Sequence, residues 1–197
     1  MKARAWQRFL DEQQRLHGKR IFTLTELASV SGASRAVAKV EVGRLVRQGV
    51  MARFARDRYG LPAAVDPETL LPHLDGLAYI TGLYALHRHG LITQVPSEIV
   101  CFTLRRHNRS RVRETPAGRF VFVCVSARLY DPPSGGVLAG PEQALCDSIY
   151  LTRRQGLALE TLVTFRELTR LNAEALARRL TRYPRPVAHT LRRLPRK

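Results

Sequence analysis

Lysine is nearly missing from this chain, and acidic residues are too few to balance its bases. Only Lys2, Lys19, Lys39 and Lys197 are lysines, so 29 of the 33 basic residues are arginine, set against 16 Asp and Glu. A GC-rich genome can favour arginine over lysine, but codon bias does not explain the shortage of acids. No lysine lies between Lys39 and Lys197. That gap argues against a PD-(D/E)-x-K nuclease centre, in which paired carboxylates hold Mg²⁺ and a lysine steadies the developing charge. Asp131, Glu142 and Asp147 are also poorly placed for adjacent strands. Cys101, Cys124 and Cys146 are few, odd in number and without C-x-x-C spacing, which argues against a disulfide framework and a zinc site and favours buried thiols in a reducing compartment. No stretch approaches the roughly 18 apolar residues of a membrane helix. Met1 to Asp11 carries charges and no apolar h-region, so the expected location is the cytoplasm, with no membrane partner.

What is present is positive charge, formally +17, gathered at the two ends. Residues 1–62 hold 13 Lys and Arg against 5 Asp and Glu, residues 63–155 hold 10 against 8, and residues 156–197 hold 10 against 3. Such an excess points to a polyanion partner, because each cation set against a phosphate releases condensed counterions.

The first block reads as a DNA-binding fold. Ala5, Trp6, Phe9 and Leu10 keep helical spacing before the stop at His17-Gly18. Thr23-Leu24-Thr25-Glu26 is a capping box that opens a short helix to about Ser31. Gly32 breaks that helix, and Ser34 can cap a third one running to Gln48, with Gly49 as its stop. Ala38, Val42, Leu45 and Val46 form the third helix's buried stripe. Its outer and leading faces carry Ser34, Arg35, Ala36, Lys39, Val40, Gly43, Arg44 and Arg47. Val50–Phe54 and Tyr59–Leu61 then read as two strands around a basic tip, Arg56-Asp57-Arg58. The order is that of a winged helix-turn-helix over residues 1–62, whose second motif helix can enter the major groove. The expected DNA-binding residues are Ser34, Arg35, Ala36, Lys39, Val40, Arg44, Arg56 and Arg58. Val40 leaves two readings open: it touches a thymine methyl, or it is packed.

Pro62, Pro67 and Pro72 punctuate an expected linker over 63–76. Residues 77–155 read as a small α+β domain: Tyr79-Ile80-Thr81, a helix from Gly82 to His89, strands at Glu98–Leu104 and Phe120–Val125, and a helix from Pro141. Arg105, Arg106, Arg109, Arg111 and Arg113 cluster within nine residues. Strand alternation would line three of these guanidinia along one side as a nucleic-acid surface, or else guard an exposed sheet edge with charge. Residues 156–197 read as a basic helical segment, with helices at Leu157–Thr161, Phe165–Leu168 and Ala173–Leu180, then an interruption at Pro184 and Pro186. His87 and His89 lie too close along a helix to share a face, His89 being a helix-end residue, and Ser134-Gly135-Gly136 is a loop rather than a phosphate cradle. No catalytic constellation, metal site or cofactor is expected.

The motifs Arg58-Tyr59-Gly60-Leu61-Pro62, Tyr79 to Leu86 with His89-Gly90-Leu91, Arg113-Glu114-Thr115-Pro116 with Gly118, and Gly140 to Asp147 occur in an order that resembles the AbiEi-type antitoxins of type IV toxin-antitoxin systems. The resemblance covers residues from about 20 to 151. It implies an N-terminal winged helix that represses its own operon at inverted repeats of double-stranded DNA, and a second, antitoxin-type domain over 77–155 that counteracts a nucleotidyltransferase-like toxin. In that family neutralisation does not require direct contact with the toxin. RNA is a further candidate partner of the 105–113 arginines, which would then serve antitoxicity. The alternative is a winged-helix transcriptional regulator without a toxin.

Overall fold

The computed structural model describes residues 2–62 and 65–194. The architecture is mixed α+β, and the chain divides into two compact units, one reaching to Leu74 and including Glu114–Ala117, the other formed by the remainder from Asp75.

The first unit begins with α1 (Ala3–His17), β1 (Ile21–Thr23), α2 (Leu24–Ser31) and α3 (Arg35–Arg47). It continues with β2 (Ala52–Ala55), β3 (Arg58–Gly60) and α4 (Pro67–Leu74). Local chemistry sets the helix ends: Gly18 and Gly32 close α1 and α2 in the left-handed conformation, and both hydrogen bonds of the Thr23–Glu26 capping box are present. Trp6, Leu10, Leu27, Val42, Leu45 and Met51 fill the core between these helices. The Trp6 indole donates to Glu41 Oε1 at 2.9 Å, fixing α1 against α3. Three antiparallel strands in the order β1-β3-β2 lie beside them. A Cβ on Gly60 would run into the Arg20 carbonyl, so the central strand needs glycine where β1 approaches.

The stretch expected as a linker instead contains α4, whose Leu70, Leu71 and Leu74 are buried. Its prolines mark a helix start at Pro67 and a tolerated interior position at Pro72 rather than an open connection. Residues 63 and 64 of that stretch lie outside the described residues.

The second unit holds β4 (Tyr79–Thr81), α5 (Gly82–Arg88), β5 (Glu98–Thr103), the start of β6 (Val112–Thr115), whose Glu114 and Thr115 group with the first unit, and β7 (Gly118–Cys124). The helices α6 (Pro141–Arg154), α7 (Leu159–Leu162), α8 (Ala173–Leu180) and α9 (Arg185–Arg193) follow. The sheet order is β4-β5-β7-β6, with β5 and β7 parallel. At the centre is α6, with every residue from Gln143 to Ile149 buried, packed on α5, β4, α7, α8 and α9. The C-terminal segment is therefore part of this unit's core. Two expectations there need correction. Phe165 bridges Ile92 instead of starting a helix, the turn at Leu168–Arg170 being 3₁₀. Pro184 and Pro186 open α9 rather than interrupt, since proline costs nothing where the helical N–H has no partner.

Candidate nucleic-acid interface

In α3, Ala38, Val42 and Leu45 bury one stripe, with Val46 half-buried beside it. Arg35, Ala36, Lys39, Val40, Arg44 and Arg47 remain exposed on the others. Ser34 caps the helix by accepting from the Val37 amide at 3.4 Å. The tip between β2 and β3 turns at Asp57, which adopts φ 56, a left-handed conformation aspartate tolerates better than most residues. The Asp57 carboxylate takes an ion pair from Arg35 at 2.7 Å, tying the start of α3 to the tip.

These elements enclose a groove of about 400 Å³ lined by Arg35, Ala36, Lys39, Arg53, Arg56, Asp57, Leu24 and Tyr59. Four cations and one carboxylate thus share one concavity. Lys39, Arg44, Arg47, Arg53 and Arg56 have no carboxylate within ion-pair distance among the described residues. Two of the unit's acids are engaged elsewhere: Glu26 with Lys19 at 2.6 Å, Asp66 with Arg20 at 3.3 Å. Burial would push the Glu26 carboxyl up, but the Lys19 and Thr23 hydrogen bonds outweigh it and hold it below its ordinary value.

Of the residues expected from the sequence, Arg35, Ala36, Lys39 and Arg56 line this groove, while Ser34, Val40, Arg44 and Arg58 lie outside its lining. Arg58 is half-buried; its guanidinium donates to the Asp57 carbonyl at 3.2 Å, and its Nε has no partner among the described residues. It is the most withdrawn cation of the tip. Arg53 was missed, although the alternation Ala52-Arg53-Phe54 signals it: Ala52 and Phe54 are buried and Arg53 is exposed. Val40 is 72% exposed, so packing does not explain it.

The five arginines from 105 to 113 do not form one extended row. Asn108 takes φ 32 and starts a 3₁₀ turn over Asn108–Ser110, so only Arg113 enters a strand. His107 causes the break: its ring is 5% exposed and packs, tilted, against Phe122 with ring centroids 4.4 Å apart. His107 Nε2 lies 2.8 Å from Asp75, and Nδ1 lies 3.1 Å from an Arg113 guanidinium nitrogen. Arginine can only donate, so Nδ1 accepts and Nε2–H donates to Asp75. Arg113 itself lies over the Phe122 ring at 4.9 Å, and burial lowers its pKa. It anchors the loop, while Arg105, Arg106, Arg109 and Arg111 are exposed. Asp75 also accepts from Thr103 at 2.7 Å and the Leu77 amide at 3.0 Å. Its burial is outweighed by these donors, and its carboxyl is held below the usual range.

The carboxylates considered for nuclease chemistry are each structural. Asp131 receives Arg179 at 2.8 Å and Arg182 at 3.4 Å, and Glu142 accepts from the Asn172 amide at 2.9 Å. Asp147 is wholly buried, accepting from Tyr183 at 2.6 Å, Thr81 at 2.7 Å and Tyr79 at 3.4 Å. Burial pushes its carboxyl up to about 7, because hydroxyl donors only partly offset the lost water. His89 caps α5 and contacts the Ala139 carbonyl at 2.8 Å. Among the described residues no group of three or more His, Cys, Asp or Glu is placed to hold a metal ion, and no helix is long and apolar enough to cross a membrane.

No family model and no curated protein matches the chain. A solved structure, the RV2827C protein from Mycobacterium tuberculosis, matches with a TM-score of 0.59 at 17% identity, covering 93% of this chain and 73% of that one. The likeness is one of fold.

Proposed function

We propose that residues 1–62 are a winged helix that sets α3 in the major groove of duplex DNA, with the β2–β3 hairpin as wing. On this reading the chain is an AbiEi-type antitoxin that represses its own operon and counteracts a nucleotidyltransferase-like toxin. The observation that carries it is the groove shared by α3 and the hairpin, where Lys39, Arg53 and Arg56 stand without a carboxylate partner among the described residues and Arg35 meets only Asp57. Cations left unneutralised along one concavity gain most from a polyanion, and a helix beside a basic hairpin fits the spacing of groove and backbone. The exposed Arg105, Arg106, Arg109 and Arg111 form a second basic surface, which we assign to neutralisation, with RNA as its polyanion. The protein has no catalytic role in this scheme.

Two assays test it together. The full chain should shift duplex DNA from upstream of its own reading frame, with affinity falling steeply as salt rises. It should also rescue cells expressing a nucleotidyltransferase encoded beside it. Repression without rescue would make it a transcriptional regulator with no toxin, and no DNA binding at all would remove the proposal.

A further inference from the structure

The DNA-binding reading leaves the middle of α3 unexplained. At about 100° of rotation per residue, the direction opposite the buried Ala38, Val42 and Leu45 is held by Ala36, Val40, Gly43 and Arg47, with Lys39 on one flank and Val37 and Arg44 on the other. Val40 is 72% exposed and Val37 58%, among the most exposed large apolar side chains of the described residues. β-branched residues lower helix propensity, and neither recovers that cost by packing within the chain. Gly43 adds a second cost: glycine in a helix interior is unfavourable, yet a Cβ built there meets nothing within 4 Å. No neighbour among the described residues demands its smallness. Meanwhile Arg35, the first cation of the helix, is drawn toward the hairpin by Asp57.

We propose that Val40, with Val37 beside it, reads thymine through its C5-methyl group, and that Gly43 lets α3 approach the base edges closely. The inference rests on the DNA-binding reading and gives it a specificity: the central bases of each half-site are recognised by apolar contact with thymine rather than by hydrogen bonds. The charge pattern selects this occupant. On the helix itself Lys39, Arg44 and Arg47 flank the valines with no carboxylate within ion-pair distance among the described residues, and a polyanion satisfies that frame. A second copy of the chain would bring the same cations face to face.

The test selects binding sites from a random duplex library with the full chain, then replaces each thymine of the best site by uracil, which deletes only the methyl group. At one or more positions the replacement should weaken binding about four-fold, the worth of one buried methyl. In Val40→Ala the same replacement should cost almost nothing, while the melting temperature stays unchanged because Val40 is exposed. Gly43→Leu should bind the selected site more weakly with no loss of thermal stability. Sites that bind tightly yet ignore uracil at every position would overturn the thymine reading and leave DNA binding intact. A uracil penalty that persists in Val40→Ala would reassign the contact to another residue. A dimer in the absence of DNA that Val40→Ala dissociates would give this face to a second copy. Failure to enrich any duplex would remove both readings together.

Discussion

The groove of the first unit and the arginine clusters of the second use the same side chain to opposite ends. In the second unit Asp131 binds Arg179 and Arg182, Asp75 lies 3.9 Å from Arg105 and anchors His107, and Arg113 stacks on Phe122. There each buried or half-buried carboxylate gathers donors, and arginine holds loops and helices together. In the groove only Asp57 is present among the carboxylates, and Lys39, Arg53 and Arg56 are exposed with no carboxylate partner among the described residues. Net charge by segment does not reveal this contrast. The tail of residues 156–197 carries nearly the excess of the first 62, yet part of it is neutralised within its own unit.

The sharpest way to break the comparison is to strip the groove together with Arg44 on the adjoining face of α3. Lys39, Arg44, Arg53 and Arg56 changed together to Ala should abolish tight duplex binding and make the dependence of log affinity on log salt shallower by about four. The melting temperature should hold, since none of the four has an ion-pair partner to lose among the described residues. Fluorescence anisotropy titrations across salt concentrations measure both slope and affinity. An unchanged slope would mean that these cations are merely solvated.

The opposite experiment removes a carboxylate from the second unit. Asp147→Ala leaves the Tyr183 and Thr81 hydroxyls buried without their acceptor, a loss of roughly 3–5 kcal/mol. Asp147→Asn isolates the charge. The folded pKa of Asp147, about 7, stands above the ordinary carboxylate value, so the unfolded chain ionises first as pH rises. This residue's contribution is therefore full in acid and lost progressively between about pH 4 and 7. Asp75 works in the other sense: its carboxyl is held low, so its contribution is present above the ordinary carboxylate range and fails on acidification. Urea unfolding from pH 4 to 8 should show the decline in the parent protein and its disappearance in Asp147→Asn.

What the sequence displays well is local. The capping box, the glycine stops and the apolar stripe of α3 act within one or two turns, and α1, α2 and α3 follow from them. Strand β1 is three residues long and exists because Tyr59 pairs with Phe22 across a large loop, a contact no window of sequence contains. The 105–113 run fails for the same reason. Its alternation is visible, but the partner that breaks it, Asp75, lies about thirty residues upstream and draws His107 inward. Val40 was legible as an anomaly and not as a side-chain position, because its exposure depends on how α3 rolls against Trp6 and Leu27.

A smaller effect separates the anchor of the arginine loop from its surface. His107→Ala takes a donor from an Asp75 side chain of 0% exposure, a cost of roughly 1.5–3 kcal/mol in urea unfolding. Changing Arg106, Arg109 and Arg111 to Ala should leave stability within about 0.5 kcal/mol, because these side chains are exposed, while abolishing rescue from the toxin and sparing operator binding. If operator binding falls and its salt slope flattens, the loop contacts operator DNA. If rescue and repression survive but the protein aggregates, the arginines guard an edge strand.

The smallest effect lies within the groove, at its single carboxylate. The Arg35–Asp57 pair has side chains 61% and 36% exposed, and a pair so open to water is worth less than about 1 kcal/mol to folding. Asp57→Asn keeps a residue that accepts the left-handed φ of 56 at the tip, so the hairpin should form as before and the melting temperature move by only a few degrees. DNA affinity should nevertheless rise, because one negative charge leaves a surface meant to face phosphates, and the salt slope should steepen by up to one as Arg35 becomes available. Asp57→Ala carries the same charge change with a strained turn, so a gain in Asp57→Asn that shrinks in Asp57→Ala assigns the difference to the backbone. A loss of affinity in Asp57→Asn would show that the ion pair sets Arg35 in its binding pose, and the groove would then depend, like the second unit, on a paired arginine.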